Sequence, residues 1–306
     1  MLGTLAAAPA VAQSVVAAPK LGGYLQVRET AQEQVGLSAT LNRVRISADG
    51  ALPAMFAYRV LVEYQAPAGA RVPATVSLRE AIIRWSPGAL ALWAGQFKTP
   101  FSKEYLLPVP VLETADFAAV VDSLTPKYDL GVMAEWTPGP WGVLSLGVFN
   151  GEGQNATGTN RDSLVLPVAR AVLRPIAPLS LGASVARDSK DSLRVGLEAT
   201  IEQWGGMARG EYITRHRRGR DRDQDDFGWY VLGTLRVLPP VQLLARIEDF
   251  QRPAYGVARR VRAATVGTNI EFAPNRVRLL VEGVRRASGA RQQHVDTLIG
   301  QLQVRF

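Results

Sequence analysis

The chain predicts an all-β protein, a transmembrane antiparallel β-barrel of about sixteen strands with a long loop folded into the pore. Three observations carry this. Some sixteen short segments alternate apolar with polar residues at a period of two. The links between them are short at one end and long at the other, the asymmetry of an outer-membrane barrel. After the N-terminus no run of about 18 apolar residues offers a spanning helix, a feature barrel strands do not need.

The strands follow in order. Gly23–Glu29 sets Gly23, Leu25 and Val27 against Tyr24, Gln26 and Arg28, and Leu41–Asp49 sets Val44, Ile46 and Ala48 against Arg43, Arg45, Ser47 and Asp49. Met55–Tyr64 carries Arg59 and Glu63 on its polar parity, and Ala74–Trp85 carries Glu80 and Arg84. Leu90–Lys98 opposes Ala91, Trp93 and Phe97 to Gln96 and Lys98. Residues 100–128 break the rhythm with Pro100, Pro108 and Pro110 and a short helix expected near Thr114–Asp122. Loops of that length inside an ordered domain are uncommon and usually functional. Alternation resumes over Leu130–Trp136 and Trp141–Asn150, followed by an exposed loop, Gly151–Asn160. Eight further segments follow before the last: Leu164–Arg174, Leu179–Arg187, Leu193–Glu202, Met207–His216, Gly228–Val237, Val241–Phe250, Ala263–Phe272 and Arg276–Val284.

The closing segment, His294–Phe306, puts Leu298, Gly300, Leu302, Val304 and Phe306 on one face and Ile299, Gln301, Gln303 and Arg305 on the other. A soluble sandwich would turn the apolar face inward, whereas a barrel turns it to lipid. A sandwich of sixteen strands would hide many arginines and leave edges to protect, and closure removes the edges. The last strand is therefore expected to pair antiparallel with Gly23–Glu29.

Composition agrees. The chain has 306 residues, 47% hydrophobic and 20% charged, with no cysteine. That absence excludes disulfides, thiolate metal sites and thiol nucleophiles, and it fits passage through an oxidising periplasm. Residues 1–18 are rich in Ala, Val and Leu, and Ala10-Val11-Ala12 has the small-x-small form of a signal-peptidase site. They read as a leader remnant, with residues 19–306 as one barrel domain in the bacterial outer membrane.

At Trp93-Ala-Gly-Gln-Phe-Lys-Thr-Pro-Phe-Ser102 the chain resembles the phosphate-selective porin O and P family, in which this strand leads into the loop that enters the pore. Leu41–Ile46, Tyr128–Val132, Gly147–Gly151, Gly210–Ile213 and Gly228–Val231 resemble later family strands in collinear order. The resemblance implies a sixteen-stranded, usually trimeric channel for anions, in some members phosphate. It also makes Phe306 look like the residue read by the barrel-assembly machinery. Selective members are described by an arginine ladder with a lysine cluster. Here the only lysines are Lys20, Lys98, Lys103, Lys127 and Lys190, which favours general anion preference over phosphate specificity.

Charge completes the reading. The net charge is +8, carried mostly by arginine. Parity puts Arg43, Arg45, Arg59, Arg84, Lys98, Arg170, Arg174, Arg194, Arg209, Arg246 and Arg278 on the lumen side, and all of these but Arg174 are expected at the site. A cation facing lipid at the midplane costs about 2–4 kcal/mol, so that side follows from energetics. Lys98, Lys103 and Lys127 bracket the long loop. These twelve cations are the expected pore-lining, anion-attracting residues, since arginine rows between low-dielectric walls concentrate anions. The alternative is that they pair with Glu63, Glu80, Glu198, Glu202, Glu211, Glu248 and Glu282 and merely satisfy a polar interior. A second alternative is a structural or surface-interaction barrel whose loops plug the lumen. No enzyme is expected: His216 and His294 sit beside loops, and no Gly-rich phosphate loop opens a helix. The Arg217–Arg222 run is neutralised by Asp221, Asp223, Asp225 and Asp226, which leaves no nucleic-acid patch. Neither a cofactor nor a metal is called for. The expected partners are outer-membrane lipid and small anionic solutes.

Overall fold

A computed structural model describes residues 18–65, 75–156, 160, 164–189, 192–218, 223–252, 259–289 and 293–306. The leader-like residues 1–17 lie outside that range, as does Lys190. The first eight strands are β1 (Lys20–Gln32), β2 (Gly36–Leu52), β3 (Phe56–Gln65), β4 (Thr75–Trp85), β5 (Leu90–Lys98), β6 (Tyr128–Gly139), β7 (Gly142–Phe149) and β8 (Leu166–Ile176). The second eight are β9 (Leu179–Ser189), β10 (Ser192–Gln203), β11 (Gly206–Arg217), β12 (Gln224–Leu238), β13 (Val241–Arg252), β14 (Arg259–Ala273), β15 (Val277–Ser288) and β16 (Gln293–Arg305). Between β5 and β6 lie α1 (Lys103–Leu106), a 3-10 turn (Val109–Val111) and α2 (Ala119–Leu124), the last a few residues beyond the helix expected from sequence.

Each strand pairs antiparallel with its neighbours in sequence, and β1 pairs with β16 to close the barrel. The closing register runs from Tyr24 opposite Arg305 to Gln32 opposite Thr297, the expected pairing of the last strand with the first. Backbone bonds between Gly23 and Phe306, 3.1 Å in each direction, finish the seam.

The period of two decides which side chains meet lipid. In β16, Leu298 and Leu302 are 55% and 41% exposed, while Gln301 and Gln303 are 2% and 3% exposed. One barrel end carries tight turns; at β10–β11, Trp204 and Gly205 both take positive φ, as a two-residue hairpin turn requires. The other end carries residues 99–127 and 150–156.

Where the period slips, the sequence reading is corrected. In β5, Leu90 and Leu92 are exposed on the outside while Trp93 lines the lumen, so Trp93 does not share a face with the lipid-facing residues. Gly95 has φ +124°, and a Cβ there would stand 1.9 Å from the Ala81 carbonyl oxygen. This irregularity resets the alternation so that Gln96 faces inward too. A bulge between Leu61 and Val62 in the β3–β4 ladder does the same for Arg79.

The barrel interior is not uniformly polar. Phe101, Tyr105, Ala118, Val120, Val121 and Leu124 form an apolar core with inward residues of the far wall, among them Ile213, Tyr230, Leu232, Leu244, Phe250, Leu280 and Ile299. Helix α2 lies against β11, β12 and β13.

Candidate functional site

Residues 99–127 make little regular structure, so their buried amides and carbonyls need partners from elsewhere. The strands supply them. Glu211 on β11 accepts the Glu104 N–H at 2.6 Å, Glu282 on β15 accepts that of Ala115 at 3.2 Å, and Glu248 on β13 accepts that of Ala119 at 2.7 Å. Glu104 accepts the Ala118 N–H at 3.0 Å from within the segment. Donors answer from the same walls. Asn269 donates to the Glu113 carbonyl at 2.8 Å, Gln303 to that of Pro110 at 3.0 Å, and Arg28 reaches both Asp116 oxygens at 3.0 and 3.1 Å.

The twelve expected cations divide by what holds them. Arg209 grips Glu113 through both terminal nitrogens, at 3.3 and 2.6 Å. Arg246 donates to Thr114 Oγ1 at 2.9 Å and to the Asp116 carbonyl at 2.8 Å, and Arg194 to the Leu124 carbonyl at 2.7 Å as well as to Asp188. Lys98 donates to the carbonyls of Tyr105 and Leu107. These four fasten the segment. Arg43 and Arg45 share the fully buried Glu63 with Arg79, so three guanidinium groups surround one carboxylate and the cluster keeps a positive excess. Arg170 pairs with Glu198. Arg59 touches Asp49 at 3.0 Å and Glu80 at 2.7 Å yet is 42% exposed. Arg84 lies over the Trp93 ring at 4.9 Å, and Arg278 has no ion pair among the described residues. Lys127 pairs with Asp122 in solvent at 2.6 Å. Lys103, on α1, is half-buried, and desolvation holds its pKa below the usual lysine range.

What remains open is a cavity of about 560 Å³ between residues 100–110 and the wall that runs from the end of β16 through β1 to β8. Arg45, Arg59, Lys98, Arg170 and Arg305 line it, with Glu80 and Glu135 as its carboxylates. Tyr24, Trp93, Phe97 and Tyr128 add aromatic faces, and Leu106, Pro108, Val109 and Pro110 form the opposite wall. A larger hollow of about 1000 Å³ lies on the apolar outer face, lined by residues such as Ile83, Leu92, Val132, Leu146 and Val185.

Sequence reading missed several of these residues. Arg28 and Arg305 stand on the polar parity of their strands, so parity alone could have added them. Arg79 could not be found, because the bulge moves it off the alternation. The loop at Gly151–Asn160 is more than an exposed tip: the Asn155 N–H donates to Gln96 at 2.7 Å and Gln154 donates to the Leu78 carbonyl at 3.0 Å. Asp226, assigned to a solvated loop, is fully buried in β12 and binds Arg215 and Arg217.

A closed sixteen-stranded barrel with an apolar exterior and a charged interior defines the class: a porin-type protein of the bacterial outer membrane. The profile of the family "Phosphate-selective porin O and P" matches residues 23–196, more than half of the chain, and the chain belongs to that family. No curated protein sequence matches it. Among solved structures, the outer membrane channel DcaP of Acinetobacter baumannii superposes with a TM-score of 0.73 at 13% identity, covering 94% of this chain and 97% of its own. An anion-selective porin from Comamonas acidovorans gives 0.69 at 11% identity, covering 94% and 99%. The trimer form of OmpT from Vibrio cholerae gives 0.68 at 11% identity, with the same coverage. At these identities the structures share the fold.

Proposed function

We propose that the barrel is a passive, anion-preferring porin for small hydrophilic solutes, in which residues 99–127 form the constriction loop. The observation that carries this is the lining of the open cavity: with the side chains bonded directly behind it, seven cations (Arg43, Arg45, Arg59, Arg79, Lys98, Arg170 and Arg305) stand against five carboxylates (Asp49, Glu63, Glu80, Glu135 and Glu198). Low-dielectric walls strengthen such an imbalance and raise the local anion concentration. The passage then runs along the wall from the end of β16 through β1 to β8, while α2 of the segment fills the side of β11–β13. The apolar exterior and the trimer form reported for the Vibrio cholerae structure support a homotrimer. The Phe306 ring at the seam supports a role in recognition by the assembly machinery.

Reversal potentials in planar bilayers under a salt gradient test the reading. Anion preference is expected, and replacing Arg59 and Lys98 with glutamine should lower the anion-to-cation permeability ratio about twofold or more. Cation preference would reject the assignment. A barrel without conductance would instead favour the plugged structural alternative, whose support is the apolar core that residues 101–124 build inside the lumen.

A further inference from the structure

We infer that the open cavity is a binding site for small aromatic carboxylates rather than for inorganic phosphate, an inference that rests on the channel reading above. The two walls of the cavity differ in chemistry. The strand side presents guanidinium and ammonium groups beside Trp93 and Tyr128, and the facing wall is Leu106, Pro108, Val109 and Pro110.

Inorganic phosphate needs many donors to replace its water, and most donors here are already committed. Arg45 bonds Glu63, Arg170 bonds Glu198, Arg59 bonds Asp49 and Glu80, and Lys98 bonds two carbonyls. The prolines and aliphatic side chains of the facing wall give such an ion nothing. A carboxylate asks for less. One guanidinium edge satisfies it, and Arg305 lines the cavity with no ion pair among the described residues. A ring attached to that carboxylate buries apolar surface against Leu106 and Val109 and finds aromatic faces for offset packing. The cavity volume of about 560 Å³ lies within the range of roughly 300–1,000 Å³ typical of small-molecule sites.

Calorimetric titration of the refolded, detergent-solubilised barrel with sodium benzoate, acetate and phosphate measures the site whether or not it conducts. Benzoate is expected to bind at least about tenfold more tightly than acetate, the return for moving a phenyl ring from water onto the apolar wall. Phosphate should bind no better than acetate. The double variant L106N/V109N, checked for heat-modifiable migration, should bring benzoate down to the acetate level and leave acetate unchanged. Should that variant not fold, Arg305→Gln should weaken benzoate and acetate together. In single-channel recording, benzoate should block chloride current at concentrations where phosphate does not. Equal binding of the three anions, or tighter phosphate binding, overturns the inference while an anion-preferring conductance leaves the channel reading standing. Benzoate binding to a barrel that passes no current has the converse meaning: the site stands and the channel reading falls.

Discussion

Arg209 on β11 and Glu113 in the 99–127 segment form a two-pronged ion pair inside the barrel, with the Arg209 side chain 3% exposed. The arginine is held from behind, since its Nε donates to Tyr230 Oη at 3.2 Å, and Tyr230 donates to Glu211 at 2.9 Å. Glu211 in turn accepts the Glu104 N–H. One chain of polar contacts thus ties the start of the segment, at Glu104, to its middle, at Glu113.

Arg209→Ala strands Glu113 without its partner. Breaking one side of a buried pair costs about 3–5 kcal/mol. The loss should fall on segment docking before barrel closure. Single-channel conductance should become larger or noisier while heat-modifiable migration persists. Quiet, unchanged conductance would exclude Arg209 as an anchor.

Stability should fall between pH 4.5 and 7 because of Glu104. Burial pushes its carboxyl up to about 7, with Glu211 adding to the rise and Arg246 opposing it. The undocked segment keeps the ordinary value near 4.5. The folded state therefore holds the proton more tightly, so the stabilisation is complete below about 4.5 and is lost as pH rises through 7. The loss is on the order of 3 kcal/mol. Urea midpoints at pH 5, 6, 7 and 8 should decline, and Glu104→Gln should flatten that decline. A variant as pH-dependent as the parent refutes the assignment.

Leu302→Arg places a cation on the lipid face of β16 beside the seam. A cost of about 2–4 kcal/mol is expected if the position lies near the bilayer midplane. Urea unfolding from lipid vesicles measures it, and a variant as stable as the parent would mean that Leu302 does not face hydrocarbon.

Phe306→Ala removes the ring that stands against Gly23, where a Cβ would lie 2.7 Å from it. The yield of assembled barrel in the outer membrane should fall several-fold, while conductance per assembled channel stays the same. Normal assembly would rule out the terminal aromatic as a recognition signal.

Barrel architecture was legible because each strand has a lipid side that tolerates only apolar residues. That constraint writes itself into Leu298–Phe306 and into fifteen other segments, and their pairing order followed from sequence adjacency. The inside was less legible. A lumen residue can face water, pair with a neighbour or hold the 99–127 segment, and Arg59, Arg170 and Arg246 look alike in sequence while doing these three different things. Inward apolar residues such as Ile213, Leu232 and Leu280 were invisible as a core, because what they pack against in the 99–127 segment lies about ninety residues or more away in the chain. A bulge hid Arg79, and the break in alternation at Gly95 misplaced Trp93, since a slip of one residue inverts every face that follows.

The anchors of the 99–127 segment also impose an order on folding. Glu104 bonds Glu211, Glu113 bonds Asn269, Ala115 bonds Glu282 and Pro110 bonds Gln303, so each contact spans between about 100 and 200 residues of intervening chain. Closing loops of that size carries an entropic cost that only a nearly complete wall can offset. Val120, Val121 and Leu124 must therefore wait, uncovered, until β11–β16 are in place. During that interval the nascent barrel exposes an apolar segment with nothing to cover it, which makes docking of the segment a late step of maturation and the uncovered intermediate the species most prone to aggregate.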